Sequence, residues 1–199
     1  MTRDLLVVGD DRLGRKLLAR LEGNARVLPV FDRSSSLKRV VKLLRRRVLS
    51  PGGVARMALA EYRRPDYPRP PLGEVRSNAD LAELIAREKP ARVYLFRAGL
   101  IIGRKVLGSG AEILNVHCAR VPEYGGLGSI ARALRDGAVD QVASLHRVTE
   151  AIDRGEVLAT RPYRLDPARS YAENENAAYD AGIELLVETL GGPGAAEAP

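Results

Sequence analysis

The sequence predicts an α/β fold built on a mostly parallel sheet with helices on both faces. Short apolar runs such as Leu5-Leu6-Val7-Val8 and Val93-Tyr94-Leu95-Phe96 alternate with segments of helical period, the pattern that parallel sheets produce. The second of these runs carries no charge, as a strand covered on both faces requires. With 199 residues, 45% of them hydrophobic, the chain is long enough to bury one core.

The elements follow in order. Leu5 to Val8 form the first strand, and Gly9-Asp10-Asp11-Arg12-Leu13-Gly14 turns into a helix running through Leu21, with Leu13, Leu17, Leu18 and Leu21 on one face. Arg26-Val27-Leu28-Pro29-Val30-Phe31 reads as a second strand, in which Pro29 argues for an edge or an irregularity. The part around 37–72 is a basic helical and Pro-rich insertion. Within it, Leu37, Val40, Val41, Leu44 and Val48 share one helical face, and Lys38, Arg39, Lys42, Arg45, Arg46 and Arg47 cover the rest. Its apolar side suits the core, and its basic side suits weak anion contact at or beyond the rim of a site. Pro51-Gly52-Gly53 breaks the chain, a short helix spans 54–62, and the four prolines in 64–71 make an extended linker. A helix over 79–88 leads into the strand Val93 to Phe96. A long amphipathic helix starts near Tyr171 and ends at Leu190, and the Gly/Ala/Pro-rich residues 191–199 are expected to be disordered.

Composition narrows the function. One cysteine excludes an internal disulfide and favours a reducing, cytoplasmic setting. No stretch approaches the roughly 18 uncharged apolar residues of a membrane span, and Met1-Thr2-Arg3-Asp4 is expected to run straight into a strand and not to open a signal peptide. The net charge of +7 suits polyanions and anionic small molecules alike. The first turn is a poor dinucleotide site, because Gly9 to Gly14 lacks the G-x-G-x-x-G spacing and Asp10 and Asp11 would repel an anion there.

Asn115-Val116-His117, closing the run Ala111-Glu112-Ile113-Leu114, carries the chemistry. Period two in a strand puts Asn115 and His117 on one face, an amide beside an imidazole. The amide can donate to a carbonyl oxygen that gains negative charge, and the imidazole exchanges protons near neutral pH. Asp153 supplies an acid that could hold the imidazolium and order a water. Taken alone, the pair equally suits a strand end closed by polar side chains. Cys118 would point away from His117 and reads as packing, while His146, the other histidine, suits a supporting hydrogen bond. Two histidines and one cysteine make no metal site.

Residues 93–158 resemble the folate-dependent formyltransferases, the catalytic domain of the methionyl-tRNA, glycinamide ribonucleotide and amino-sugar enzymes. The resemblance rests on Ala98-Gly99-Leu100-Ile101-Ile102-Gly103 with Val106-Leu107, on Leu114-Asn115-Val116-His117 followed by Pro122-Glu123-Tyr124-Gly125-Gly126, and on Ile152-Asp153-Arg154-Gly155. Between these lie a helix closed by Gly137 and the strand Ser144-Leu145-His146-Arg147-Val148. The family's Ser-Leu-Leu after the histidine is replaced by Ala119-Arg120-Val121, with a charged Arg120 in the loop.

The resemblance implies a Rossmann-like catalytic domain over 1–190, with Asn115, His117 and Asp153 as the catalytic triad. It implies that 10-formyltetrahydrofolate, the formyl donor, is held around Arg97, Gly99, Leu100, Ile101, Val148 and Ile152. The expected acceptor is the amine of a small molecule, with a nucleotide-linked amino sugar the best specific match. Asp10 and Asp11 disfavour glycinamide ribonucleotide, and the end of the chain near 190 disfavours tRNA. Two alternatives stand beside transfer: hydrolysis of 10-formyltetrahydrofolate, and a catalytically silent binding protein of the same fold.

Overall fold

The computed structural model describes residues 3–34, 41, 44, 45 and 50–191. Most of the basic segment 37–49 and the tail 192–199 lie outside the described residues. The elements are β1 (Asp4–Gly9), α1 (Arg12–Arg20), β2 (Val27–Asp32), α2 (Pro51–Arg63), β3 (Glu74–Val75), α3 (Asn78–Glu88), β4 (Arg92–Phe96), α4 (Arg104–Leu107), β5 (Glu112–His117), α5 (Ser129–Arg135), β6 (Asp140–Arg147), β7 (Val157–Arg164) and α6 (Tyr171–Leu190). Seven strands form one sheet in the order β3-β2-β1-β4-β5-β6-β7. The strands from β3 to β5 run parallel; β6 runs antiparallel to β5, and β7 antiparallel to β6. The sheet is therefore mostly parallel, as expected, while β3 and β7 have no counterpart in the sequence reading.

Strand parity divides the core. Leu6, Val8, Tyr94, Phe96, Leu114 and Val116 pack on one face with Leu17 of α1 and Ile183 and Leu186 of α6. Leu5, Val7, Val93, Leu95 and Ile113 pack on the other with Leu81 and Ile85 of α3. Burying each such side chain contributes about 1.5–3 kcal/mol, so the alternation decides which face each strand shows to which helix. α6 begins with a capping box, in which the Ser170 side chain accepts from the Glu173 N–H and the Glu173 side chain accepts from the Ser170 N–H.

Pro29 lies inside β2, paired with Leu6 of β1. The Phe31 N–H points outward to Gly73, and two residues earlier Pro29 faces the same way, beyond the reach of the two-residue β3. A residue without an N–H is tolerated there because no partner stands opposite. Pro51-Gly52-Gly53 does not break the chain as expected; it forms the first turn of α2. Ser50 caps that turn through the Gly53 N–H, and Pro51 fills the position whose N–H would have no helical partner in any case.

Leu186 is fully buried. Leu186→Ala should cost about 2–5 kcal/mol of unfolding free energy, and Ser170→Ala about 0.5–2 kcal/mol, both read by urea denaturation. A loss below about 1 kcal/mol for Leu186→Ala would show that α6 does not close the sheet as described.

Candidate active site

Asn115 and His117 end β5 on the face that Ile113 shares with α3. The antiparallel register sets Asn115 opposite His146 and His117 opposite Ser144. Asn115 Nδ2 lies 3.1 Å from His146 Nε2, as expected for side chains of directly opposed residues. The loop after β6 then brings Asp153 back over the pair: Oδ2 lies 3.5 Å from His117 Nδ1 and Oδ1 lies 3.4 Å from His146 Nε2. One carboxylate thus touches both histidines of the chain, and the Gly126 N–H donates to it at 2.7 Å. His146 Nε2 thus stands between the Asn115 amide and the carboxylate.

Local backbone explains the placement. Asp153 has φ 50, a left-handed conformation that aspartate tolerates better than most residues. Two positions on, a Cβ at Gly155 would sit 1.8 Å from the Arg147 carbonyl oxygen. Only glycine lets the loop return this tightly against the end of β6. The Asp-x-Gly spacing is therefore a steric requirement of the site.

The partners fix where protons can sit. His117 Nε2 lies 2.9 Å from the Tyr124 carbonyl, which can only accept, and Nδ1 faces the carboxylate, which also accepts when ionised. Only the imidazolium satisfies both. Burial works against that form and lowers the pKa of His117 below the ordinary histidine value, opposed by the charge of Asp153 and the Tyr124 carbonyl. His146 Nδ1 lies 3.0 Å from the Arg147 carbonyl, and its Nε2 lies between the Asn115 amide and the Asp153 carboxylate. Burial alone would raise the Asp153 carboxyl; the hydrogen bond from His146, the charge of His117 and the Gly126 N–H outweigh it and hold the group down at about 2.

The residues expected to hold the formyl donor form the two loops beside this cluster. Gly99 and Leu100 donate their N–H groups to Asp32 Oδ2, the latter at 2.9 Å. Asn78 brackets the next turn, donating to the Ile101 carbonyl at 2.9 Å and accepting from the Gly103 N–H at 2.8 Å. Val148 donates to the Ile113 carbonyl at 2.8 Å, and an Arg104–Glu150 pair at 2.9 Å ties one loop to the other. Ile101 and Ile152 are exposed at 60% and 63%, two large apolar side chains left uncovered on those loops. Arg97 stands apart from this group: its side chain runs to Asp11 and over the Tyr179 ring. Arg120 turns away as well, donating to the Asp140 carbonyl at the far end of β6. Cys118 is buried, and burial pushes its thiol up to about 12, which suits packing and not nucleophilic attack.

Three contributors escaped the sequence reading. Asp32, buried at the end of β2, holds the Gly99 loop; the signal was an acid directly after an apolar strand, where open sheets bind ligands. The Tyr124 carbonyl is a backbone group and leaves no mark in a sequence. The Asp11–Arg97 pair joins residues from two distant turns. No group of three or more metal-ligating side chains occurs among the described residues.

A pH titration reads this arrangement directly. Asp153, depressed in the folded state, adds stability above the ordinary carboxylate pKa of 3.8, and that stability is lost as pH falls from about 4 towards 2. Asp153→Asn should flatten the acid limb of the stability curve in that window. It should also shift the His117 titration to lower pH, because the carboxylate is what favours the imidazolium. With two histidines in the chain, proton NMR resolves both, and an unmoved His117 midpoint in the variant would disprove the coupling.

The profile of the formyl transferase family matches residues 53–190, which include the whole cluster. The methionyl-tRNA formyltransferase of Listeria monocytogenes is 31% identical over 147 residues, covering 73% of this chain and 46% of that protein. The chain spans about half the length of the curated relatives it matches. Among solved structures, glycinamide ribonucleotide transformylase 1 of Geobacillus kaustophilus superposes with a TM-score of 0.63 at 19% identity, covering 96% of this chain and 97% of that one. A protein of Mycobacterium tuberculosis provisionally assigned as a sugar N-formyltransferase superposes with a TM-score of 0.66 at 16% identity, covering 96% of this chain and 67% of that one. These structures share the fold, and the family match extends over more than half of the sequence: the chain belongs to the formyl transferase family.

Proposed function

We propose that this protein transfers a formyl group to the amine of a small acceptor, with Asn115, His117 and Asp153 as its working residues. The observation that carries the reading is the Asp153 carboxylate held within 3.5 Å of His117 Nδ1 beside the Asn115 amide, at the carboxyl end of the central strands. The family draws its formyl group from 10-formyltetrahydrofolate. The chain offers it a fitting cradle: the exposed apolar side chains of Ile101 and Ile152 for a flat ring, and a backbone turn at Gly99 and Leu100 fixed by Asp32. Gly99, Leu100, Ile101, Val148 and Ile152 are the residues we assign to the donor.

The chemistry of the cluster matches acyl transfer to an amine. The carbonyl oxygen under attack gains charge, and Asn115 Nδ2 is the neutral donor beside it. The attacking nitrogen must lose a proton, which His117 can take in its neutral form, the form that burial favours. Asp153 stabilises the charged imidazole and orients it, and His146 holds the other oxygen of that carboxylate. A nucleotide-linked amino sugar is the acceptor class we favour, in keeping with the sugar N-formyltransferase assignment of a structural neighbour.

His117→Ala and Asp153→Ala should each lower formyl transfer by about a hundredfold or more while the cooperative unfolding transition persists. The assay follows formyl-group loss from 10-formyltetrahydrofolate with amino-sugar nucleotides, glycinamide ribonucleotide and initiator methionyl-tRNA as separate acceptors. Equal formyl loss with and without every acceptor would replace transfer by hydrolysis. Unchanged rates in both variants would remove the triad.

A further inference from the structure

We propose that Arg132 is a positioning residue of the active site, its guanidinium pinning the loop 125–128 so that the Tyr124 carbonyl and the Gly126 N–H meet the His117–Asp153 pair; this deepens the formyl-transfer reading and rests on it. The carbonyl stands 2.9 Å from His117 Nε2, and the N–H donates to Asp153 Oδ2 at 2.7 Å. Between the two lies Gly125, where an added Cβ would stand 3.0 Å from the Asp153 Cβ. The loop therefore rests directly against the aspartate side chain. A shift in it moves a partner of both His117 and Asp153 at once.

The loop is poorly suited to hold this shape alone. Three of its four residues are glycines, and Gly126 and Gly128 have φ 77 and φ 69, where ordering a glycine costs more entropy than ordering any other residue. Gly128 is also the N-cap of α5 and has no side chain to tie the helix to the loop. Arg132 supplies that tie. Helix side chains lean towards the N-terminus, so Arg132, one turn into α5, reaches back over Gly128. Its Nη1 donates to the Leu127 carbonyl at 3.0 Å and its Nη2 to the Gly125 carbonyl. The Gly125 carbonyl and the Gly126 N–H belong to one planar trans peptide unit and point in opposite directions. Holding the carbonyl with a rigid guanidinium fork thus aims the N–H at Asp153.

The charge of Arg132 bears on the same pair, because no carboxylate neutralises it among the described residues. Burial does most to disfavour the His117 imidazolium; Asp153 and the Tyr124 carbonyl oppose burial, while His146 of β6 and Arg132 of α5 add to it. Fork and charge therefore act in opposite senses on His117. Through the loop, Arg132 secures a carbonyl that favours the charged ring; through space, it disfavours that ring. Lysine at this position keeps the charge and loses the fork, which separates the two effects.

The test uses the whole protein and compares Arg132→Lys and Arg132→Gln with Arg135→Gln, an exposed arginine of the same helix whose partner is Asp136. NMR follows the histidine rings and carboxyl-labelled aspartates over pH. In Arg132→Lys the Asp153 midpoint should rise from about 2 towards 3.8, because the Gly126 N–H no longer helps to offset burial. The His117 midpoint should fall, because the Tyr124 carbonyl is released while the cation stays. Arg132→Gln should raise the Asp153 midpoint alike and leave His117 titrating above its position in the lysine variant. In both, kcat for formyl transfer should drop by about tenfold or more, with each KM changed by less than about threefold. Arg135→Gln should match wild type throughout. Unmoved midpoints in Arg132→Lys, or equal shifts in Arg135→Gln, would overturn the proposal. So would loss of the cooperative unfolding transition in Arg132→Lys, since Arg132 would then hold the fold and not the loop. The midpoints need no turnover: a wild type that transfers no formyl group defeats the functional reading, and the titrations still decide the role of Arg132.

Discussion

The Asp153 carboxylate, withdrawn from water and shared between His117 Nδ1 and His146 Nε2, is the constraint around which the functional end of the sheet is arranged. An ionised acid buried this far is stable only if its oxygens are met by donors or charges, and here two imidazoles and one backbone N–H supply them. His146 meets the carboxylate from directly across Asn115, a position set here by the antiparallel register of β6 on β5. An irregularity follows at the same place: the pairing of β6 with β7 slips between Leu145 and His146, leaving an extra residue on β7 beside the histidine.

The meeting of Asn115, His117 and Asp153 was readable by two different routes. Period two put Asn115 and His117 on one face, whereas Asp153 was picked out by the family resemblance, and the glycine of its Asp-x-Gly proves sterically required. The two faces of the core were readable locally, since Leu5 to Val8 and Val93 to Phe96 are apolar without interruption. What stayed hidden was relational. β7 shows to solvent at most of its positions, so it lacks the apolar alternation that signals a half-buried strand, and β3 is two residues long. Pro51-Gly52-Gly53 was misread because the residues that end one helix can open another when a serine precedes them. The pairing of Asp11 with Arg97 depends on two turns meeting across β1 and β4, which only the sheet order decides.

The positive charge of the chain takes on a different meaning once the pairs are seen. Arg12, Arg15, Arg64 and Arg69 are engaged around the β1–α1 turn with Glu61, Asp66, Glu175 and Asp10 and with the carbonyls of Tyr62 and Arg64. They clamp the linker after α2 against α1 and α6. Arg64 and Glu175 are both almost fully buried, where breaking one partner leaves an uncompensated charge, so these arginines hold segments in register and are not a general polyanion surface.

The cluster at the end of β5 and the β1–α1 turn meet different electrostatic demands. At the turn, carboxylates and guanidinium groups pair with one another, Asp11 with Arg97 and Asp10 with Arg15, Arg33 and Arg69, and the pairs fix backbone turns. At the cluster a single carboxylate faces two imidazoles, and for His117 burial works against the charged form while Asp153 favours it. A side chain whose proton is held by opposed forces of this kind is suited to giving it up and taking it back, which the pairs at the turn are not.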